Sequence, residues 1–336
     1  MTKNNFDIVV LGSSIVDLIS YKPIDFLKEN GLEKASMQLK EYDEIKNLYD
    51  KLGSATECSG GSAANSAAGA AMLGADCAFI GKTREDYLGK VFNREIEKAG
   101  VKHITQTTNQ GLSTPKCIIL VTEEEDKFGN KDIERTMATY LDPDVAICED
   151  DIDEEIIKNA KIIFFEGYLY DNPNSKAAVE KAIKIAKEND TKVSFTLSDP
   201  FCVDRHRSDF VDVVENKADI IFANESEANS LYQSQDIRNI LHKFTSLETI
   251  SCITRSQNGS YIIKDGNVHD IEPVLHSEVY DVTGAGDIYA AGFLYGFVNE
   301  FPVEKSGHLA SLCASEVIKY IGARPATDLK DLLATL

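Results

Sequence analysis

The sequence predicts an α/β fold in which helices cover both faces of a mostly parallel sheet. From residue 150 onward, apolar runs at 161–165, 192–197 and 219–222 alternate with longer helical segments. Strands that alternate with helices in this way are typical of parallel sheets buried on both faces. An earlier apolar run at 7–12, which ends in a glycine, indicates a buried first strand.

The size and charge of the chain exclude several classes of protein. Its 336 residues can bury a large core, and we expect one domain spanning residues 1–336. The net charge of −20 repels nucleic acids and anionic membranes, so we expect neither as a partner. No apolar run approaches the roughly 20 residues of a membrane span, and the first seven residues lack the apolar core of a signal peptide.

The cysteines indicate a reducing compartment. They are scattered, odd in number and never spaced as Cys-x-x-Cys. This pattern argues against a disulfide framework and against a structural zinc site. We therefore expect reduced, mostly buried thiols in a cytoplasmic protein. The seven residues are Cys58, Cys77, Cys117, Cys148, Cys202, Cys252 and Cys313.

The chain between the first strand and the first amphipathic helix, predicted at 41–51, is too long for an ordinary loop. Residues 18–40 show little periodicity, whereas a βα loop usually takes about 2–6 residues. Residues 115–122 and 131–139 have the composition of two strands, and the acidic segment between them is typical of a solvated hairpin tip. We expect parts of 18–40 and 112–140 to form a small β-rich lid outside the main sheet.

The most informative stretch is Asp281-Val-Thr-Gly-Ala-Gly-Asp287, which leads into an apolar segment rich in small residues. Glycines just before a helix leave its first N–H groups uncovered, and the helix dipole favours negative charge at that end. We therefore expect an anion to bind at Gly284, Ala285 and Gly286. A carboxylate beside an anion, as at Asp287, suits a general base, although capping of the helix would explain it equally well.

A second stretch, from Ser59 to Gly74, also combines glycines with a helix. Gly60 and Gly61 precede an alanine-rich segment and would let a ligand approach the backbone closely. Asn65 falls one helical turn beyond Gly61, where its amide can bind a hydroxyl group. The alternative is a tightly packed core helix, which the alanines themselves support.

These two motifs resemble the signatures of a known enzyme family. The pattern Asp-x-Thr-Gly-Ala-Gly-Asp at 281–287 resembles the second signature of the ribokinase-like (PfkB) carbohydrate kinases, which include adenosine kinase. The pattern Gly-Gly-x-x-x-Asn at 60–65 resembles the first signature. The resemblance implies a ribokinase-like three-layer sandwich with a mostly parallel central sheet and a small lid. It also implies transfer of the γ-phosphoryl group of ATP to a primary hydroxyl.

The resemblance assigns roles to the residues of both motifs. Asp287 would deprotonate the acceptor hydroxyl, while the N–H groups of residues 284–286 hold the transferring phosphoryl group. The lid would close over the site and exclude water. The hydroxyls of the acceptor would be bound by Asp17, Gly60, Gly61 and Asn65.

Two further segments resemble the family's ATP and Mg²⁺ contacts. Asn224-Glu-Ser-Glu227 matches an Asn-x-x-Glu motif, although helix capping alone would explain its asparagine. The match implies that Asn224 helps to arrange the ATP phosphates and that Glu227 holds Mg²⁺ through water. Thr254, Ser256 and Gly259 resemble the family's Thr-x-Gly-x-x-Gly loop under the nucleotide. Ser256 replaces a glycine there, and its Cβ restricts both φ and the approach of a phosphate.

The resemblance also raises the questions of a second cation and of assembly. The family has a monovalent-cation site beside the nucleotide, where Asp281 and Thr283 are candidate oxygen ligands for K⁺. The lids of family members either pair or stay free, so both a monomer and a homodimer are compatible with the sequence.

The identity of the acceptor depends on residues around the first motif. Gly60 to Ser66 reads Gly-Gly-Ser-Ala-Ala-Asn-Ser, which resembles adenosine kinases and lacks the lysine of ribokinases. Chain length and the Arg135-Thr-Met stretch also resemble bacterial adenosine-kinase-like members, whereas Ser13 stands where well-known adenosine kinases have an asparagine. We expect a nucleoside, adenosine first, with a free sugar of the ribokinase or fructokinase type as the alternative. A nucleotide-binding regulator without turnover is disfavoured by the intact Gly-Ala-Gly-Asp turn.

Overall fold

The computed structural model describes residues 6–104, 107–125, 131–276 and 279–336. In that part of the chain, two β-sheets and the helices around them form the fold. The strands are β1 (Phe6–Leu11), β2 (Ile15–Tyr21), β3 (Met37–Leu39), β4 (Thr56–Gly60), β5 (Cys77–Ile80), β6 (Val101–His103), β7 (Lys116–Glu125), β8 (Lys131–Tyr140), β9 (Ala160–Glu166), β10 (Lys192–Thr196), β11 (Ile220–Asn224), β12 (Ile250–Thr254), β13 (Ser260–Lys264) and β14 (Asn267–Ile271). The α-helices are α1 (Ile24–Glu29), α2 (Tyr42–Leu52), α3 (Ser62–Leu73), α4 (Tyr87–Lys98), α5 (Glu154–Lys158), α6 (Pro173–Glu188), α7 (Pro200–Asp212), α8 (Glu225–Tyr232), α9 (Ile237–Thr245), α10 (Ala285–Val298) and α11 (Val303–Val317).

The central sheet has nine strands in the order β14-β13-β12-β11-β10-β9-β1-β5-β6. Neighbours from β12 to β6 are parallel, whereas β13 and β14 complete one edge in antiparallel pairing. The predicted strands at 7–12, 161–165, 192–197 and 219–222 correspond to β1, β9, β10 and β11. Because these strands are parallel, their carboxyl ends meet at one edge, where ligands gather in open α/β sheets.

The side chains of β1 divide the core into two layers. Ile8 and Val10 join the apolar cluster that includes residues of α3 and α10. Val9 and Leu11 point the other way, into the cluster with residues of α6 and α7. A strand buried on both faces in this way has helices on each side, so the predicted three-layer α/β architecture is confirmed.

The second sheet has five strands in the order β3-β8-β7-β2-β4. One of its faces packs on α2 through a cluster that includes Leu18, Leu120 and Ile45. The predicted inserts contain β3, β7, β8 and part of β2, while β4 lies outside them. β7 extends to Glu125, and the remainder of the acidic tip, residues 126–130, lies outside the described residues. Asp17, which the family resemblance assigns to the acceptor hydroxyls, lies within β2.

Close packing of α3 on α10 brings the two sequence motifs together. A Cβ at Gly69 of α3 would lie 2.8 Å from the Cβ of Ala291 and 2.9 Å from Cδ1 of Ile288, both in α10. Such separations are shorter than van der Waals contact, so the helices approach this closely only because residue 69 is glycine. The amino-terminal turns of α3 and α10, which carry the two motifs, therefore lie side by side.

The cysteines have the state that the sequence analysis expected. All seven cysteines are free thiols, and five of them are buried. Among the described residues, no helix has the length and apolar character that a membrane crossing needs.

Candidate active site

The turn before α10 has the geometry of an anion-binding helix terminus. Gly284 has a φ of +77°, and a Cβ there would lie 2.5 Å from the carbonyl oxygen of Ala323. Glycine is therefore required by both the backbone conformation and the close approach. Gly286 is exposed and has open space where a Cβ would be. The N–H of Ala285 donates to the carbonyl of Val282 at 3.1 Å, so that one of the three predicted N–H donors already has an acceptor.

Asp287 lies in the first turn of α10 and contacts the amino-terminal turn of α3. Its Oδ1 accepts a hydrogen bond from the hydroxyl of Ser62 at 2.7 Å. Its Oδ2 accepts one from the side-chain amide of Asn65 at 3.1 Å. Burial raises the pKa of Asp287, and these two hydrogen bonds and the Arg324 charge oppose the rise. Its side chain bonds to α3 rather than to the amides of its own helix, which is more than helix capping requires.

The paired glycines of the first motif let the backbone lie very close to Asp17 and to the residues that follow β1. A Cβ at Gly60 would lie 2.2 Å from the carboxyl carbon of Asp17. Gly61 has a φ of +92°, and a Cβ there would lie 2.8 Å from the carbonyl oxygen of Ser13. Residue 60 therefore leaves room for the Asp17 carboxylate, and residue 61 makes the sharp turn from β4 into α3.

Asp17 extends from β2 of the second sheet into a region shared with the helix motifs. Burial raises the pKa of this carboxylate to about 7, with Arg324 and Arg135 opposing the rise and Asp287 adding to it. The structure thus brings Asp17, Gly60, Asn65 and Asp287 together, as the sequence analysis expected of an acceptor site.

Glu166 is a site residue that the sequence analysis missed. It ends β9, is 1% exposed, and accepts hydrogen bonds from the backbone N–H groups of Ser13 and Ala63, each at 2.8 Å. Burial raises its pKa to about 7 in spite of these bonds, and the charge of Asp287 adds to the rise. A carboxylate held at the carboxyl ends of two neighbouring strands ties β1 and β9 to the start of α3.

Arg324 is the second missed residue. It follows α11 in the segment that contacts Gly284, and its Nε donates to Oδ1 of Asn65 at 3.1 Å. Its Nη1 donates to the hydroxyl of Ser59 at 2.9 Å. Its Nη2 is buried and has no hydrogen-bond partner among the described residues. Arg324 therefore places a positive charge between the two glycine motifs.

The Asn-x-x-Glu segment begins α8 with a complete capping box. The Oδ1 of Asn224 accepts from the N–H of Glu227 at 2.9 Å, and Glu227 accepts in return from the backbone and side-chain nitrogens of Asn224 at 3.0 and 2.6 Å. Glu227 is 6% exposed, and burial raises its pKa to about 7, with the charges of Asp199 and Asp287 adding to the rise. Capping thus accounts for the position of Asn224, and the carboxylate and amide oxygens also suit a hydrated Mg²⁺.

The loop after β12 borders a cavity of about 390 Å³ that reaches the start of α10. Ser256 has a φ of +53°, so it adopts the left-handed conformation for which glycine is favoured. Gly259 has a φ of +79°, and a Cβ there would lie 2.0 Å from the carbonyl oxygen of Ile271. The cavity walls include Thr254, Ser256, Gly259, Ala285, Gly286 and Tyr289. Three of the four predicted nucleotide contacts therefore line one cavity with two of the predicted phosphoryl-binding residues, and Asn224 is not among its walls.

The residues proposed for a monovalent cation are engaged with protein groups. Oδ1 of Asp281 accepts from the N–H of Thr283 at 3.0 Å, and Oδ2 accepts from the N–H of Gly322 at 2.9 Å. The guanidinium of Arg135, which comes from β8, forms an ion pair with the same carboxylate. These N–H donors and the positive charge of Arg135 compete with K⁺ for this carboxylate, so the arrangement disfavours K⁺ at Asp281. Among the described residues, no group of three or more His, Cys, Asp or Glu side chains is placed to hold a metal ion.

These features define an enzyme that can transfer a phosphoryl group. A helix terminus open to an anion adjoins a nucleotide-sized cavity on one side and a group of carboxylates suited to hydroxyl groups on the other. The site is thus that of a kinase for a small molecule with several hydroxyls. The chain belongs to the pfkB family of carbohydrate kinases, whose family model matches residues 6–329. Members of this family are phosphotransferases that act on sugar or nucleoside hydroxyls.

Comparison with individual proteins leads to the same family. A probable sugar kinase from Rhizobium etli CFN 42 is 38% identical, with a TM-score of 0.89 over 99% of this chain and 98% of that one. The adenosine kinase of Sinorhizobium meliloti is 36% identical, with a TM-score of 0.88 over 98% of this chain and 99% of that one. A 5-dehydro-2-deoxygluconokinase of Geobacillus kaustophilus (strain HTA426) is 26% identical over 88% of each chain.

Proposed function

We propose that this enzyme transfers the γ-phosphoryl group of ATP to the primary hydroxyl of a ribosyl acceptor, with adenosine as the preferred substrate. The observation that carries the proposal is the position of Asp287, between the open helix terminus and Ser62 and Asn65. In the reaction, the acceptor oxygen attacks the γ-phosphorus while its proton passes to the Asp287 carboxylate. The bond from the γ-phosphorus to the bridging oxygen breaks, and its electron pair leaves with ADP.

The phosphoryl group would lie at the start of α10. The N–H groups of Gly284 and Gly286 would bind it first, and Gly286 leaves open space beside them. The N–H of Ala285 donates to Val282 and would have to give up that bond to join them. As negative charge moves from the acceptor to ADP, these amides stabilise it without having to reorient. In other enzymes the loss of one such donor typically costs about 3–4 kcal/mol in transition-state stabilisation.

ATP would occupy the 390 Å³ cavity, with its triphosphate directed toward Gly286. Thr254, Ser256 and Gly259 line the far part of this cavity, and Asn224 would arrange the phosphates. Glu227 and Asn224 offer the oxygen donors that a water-bound Mg²⁺ prefers. When bound, Mg²⁺ would neutralise part of the phosphate charge beside this acidic protein.

The charges around the acceptor site favour an uncharged substrate. Burial raises the pKa values of Asp17 and Glu166, and the charge of Asp287 adds to both rises. Arg324 opposes the rise at Asp17 and at Asp287. A carboxylate or phosphate on the acceptor would add negative charge to this group of acids, which burial makes costly. A neutral nucleoside or sugar, in contrast, offers hydroxyl donors to Asp17 and Asp287, while both oxygens of Glu166 already accept backbone N–H groups. This argument disfavours sugar acids and sugar phosphates.

Two features favour a nucleoside over a free sugar. Ser62, a shorter side chain in the position where ribokinases have a lysine, donates to Asp287 at 2.7 Å. Beside the acceptor site, a cavity of about 210 Å³ extends from Ser13 and Ser14 to Tyr168. It offers room for a base, and Ser14 places a buried hydroxyl there that has no partner among the described residues. The similarity to the adenosine kinase of S. meliloti supports the same choice.

A neutral free sugar remains the second candidate. It is supported by the similarity to the R. etli protein, a probable sugar kinase.

The second sheet would act as a lid over the bound acceptor. It supplies Asp17 from β2 and, through Arg135 of β8, an ion pair with the Asp281 that begins the α10 motif. We propose that closure of this sheet excludes water, which would otherwise accept the phosphoryl group.

A comparison of acceptors tests the proposed substrate. ADP release would be measured with ATP and Mg²⁺ for adenosine, ribose, fructose, a sugar acid and a sugar phosphate. We expect kcat/KM to be highest for adenosine and lowest for the two anionic acceptors. A higher kcat/KM for ribose or fructose than for adenosine would show that the preferred acceptor is a free sugar. Efficient turnover of the sugar acid or the sugar phosphate would overturn the charge argument. The Asp287→Asn variant controls for contaminating kinases.

A further inference from the structure

Arg324 contacts the candidate active site from a segment outside both sequence motifs. It lies in the segment after α11, which ends at Val317, and two residues after Gly322, whose N–H donates to Asp281. Through Nε and Nη1, its guanidinium joins Asn65 of α3 to Ser59 of β4. One residue thus connects the amino-terminal end of α3, the strand before it and the turn that leads into α10.

The hydrogen bond to Asn65 determines which way the Asn65 amide faces. Arginine only donates hydrogen bonds, so the amide must present its oxygen Oδ1 to Nε of Arg324. The amide nitrogen is then directed at Oδ2 of Asp287, to which it donates at 3.1 Å. If the amide turned over, its oxygen would face the carboxylate and repel it. Asn65 is therefore hydrogen-bonded to Arg324 on one side and to Asp287 on the other.

The positive charge of Arg324 also lowers the pKa of Asp287, in opposition to the effect of burial. Three carboxylates from other elements lie close enough for the charge of Asp287 to add to their raised pKa values. They are Asp17 of β2, Glu166 of β9 and Glu227 of α8. Cys58 also lies near Arg324, but burial raises the pKa of this thiol to about 12, so it carries no charge at neutral pH. Against these acids, Arg324 favours the ionised form of Asp287.

We propose that Arg324 is a positioning residue that fixes the Asn65 amide and keeps Asp287 in the ionised form that accepts the acceptor's proton. This inference rests on the proposed function, in which Asp287 is the general base. Arg324 has no assigned contact with ATP or the acceptor, so its effect is exerted through Asn65 and through its charge.

The test compares kcat as a function of pH for the wild type, Arg324→Gln and Arg324→Lys. In Arg324→Gln the charge is lost, and we expect the acidic limb of the profile to move up by roughly 1–3 pH units, the usual effect of one nearby opposite charge. Activity should then recover at high pH. Arg324→Lys keeps the charge but loses the pair of hydrogen bonds to Asn65 and Ser59. In this variant kcat should fall, while the acidic limb of the pH profile should stay in place. Arg238→Gln, at an exposed position of α9, is the matched control and should leave the profile unchanged.

A double-mutant cycle with Asn65→Ala tests the route of the effect. If Arg324 acts through Asn65, the two substitutions should be clearly less than additive in kcat. An acidic limb that does not move in Arg324→Gln, or fully additive losses in the cycle, would overturn the proposal. Should the Gln variant not fold, as judged by its melting transition, a shifted acidic limb in the Lys variant would overturn it instead. Failure of the proposed function is distinguishable, because it would appear as undiminished turnover in Asp287→Asn.

Discussion

Replacement of Asp287 by asparagine removes the proposed base while keeping its shape. In the wild type the carboxylate accepts from Ser62 at 2.7 Å and from Asn65 at 3.1 Å. The orientation of Asn65 is fixed by Arg324, so the new amide must turn its oxygen toward Asn65 and its nitrogen toward Ser62. The Ser62 hydroxyl can rotate to accept that bond, since a hydroxyl both donates and accepts. Every contact then keeps a partner.

This substitution should therefore leave folding intact. Burial raises the pKa of Asp287, which means that the ionised side chain is less stable in the folded protein than in water. An uncharged asparagine avoids this cost, so the melting temperature of the ligand-free variant at pH 8 should equal or exceed that of the wild type. The loss should appear in catalysis alone.

The expected loss in kcat is roughly 10²–10⁴-fold, the usual contribution of a general base. This range corresponds to about 3–5 kcal/mol of transition-state stabilisation, at 1.36 kcal/mol for each tenfold change. The assay is ADP release at saturating ATP and acceptor, with melting temperature measured on the same preparation. A folded variant whose turnover lies within a few fold of the wild type would refute the role of Asp287.

Three further predictions follow from the geometry of the site. The pKa values of Asp17, Glu166 and Glu227 are each raised to about 7, so kcat/KM should rise with pH up to about 7. The folded, ligand-free protein binds more protons than the unfolded chain between about pH 4 and 7. Its melting temperature should therefore fall as the pH rises from about 4 to 7. In Gly60→Ala the new Cβ would displace the Asp17 carboxylate, so KM for the acceptor should rise by roughly 10- to 100-fold, the cost of a hydrogen bond to a charged group, while KM for ATP stays constant. Since protein donors occupy Asp281, exchange of tetramethylammonium for K⁺ at constant ionic strength should leave kcat unchanged within about twofold; a requirement for K⁺ would contradict this assignment.

The central sheet could be predicted from the sequence because its strands are buried on both faces. Runs such as 161–165 are continuously apolar, and each is followed by a helical segment, so local pattern and tertiary position agree. The starts of three helices could also be predicted, because glycines precede α3 and α10 and an asparagine precedes α8.

In the second sheet, β7 and β8 were predicted at 115–122 and 131–139, whereas β2, β3 and β4 were harder to predict because they lack continuous apolar runs. β4, Thr56–Gly60, is polar and short, and it is a strand only because β2 pairs with it along Ile15–Ile19. β2 itself follows β1 after three residues, so that Asp17 resembled a loop residue after the first strand. Alternate side chains of β2 face opposite sides of the second sheet, with Val16 and Leu18 buried and Asp17 on the other face. This pattern could be assigned to a strand only once the second sheet was known.

The residues that the sequence analysis missed at the site act over long separations in the chain. Glu166 binds Ser13 across 153 positions, and Arg324 binds Asn65 across 259. Neither lies in a glycine motif, and an acid at a strand end or an arginine after a helix is common in any α/β protein. The position of Glu166 at the carboxyl end of a predicted strand was a usable signal, because that edge of a parallel sheet is where ligands bind. For Arg324 no comparable local signal exists.

The most direct test is a crystal structure of the protein with adenosine and a non-hydrolysable ATP analogue. We predict that the primary hydroxyl oxygen of the nucleoside lies within hydrogen-bonding distance, about 3 Å, of the Asp287 carboxylate. The terminal phosphate should lie against the N–H groups of residues 284–286. A hydroxyl bound away from Asp287, or a terminal phosphate away from the start of α10, would contradict the account.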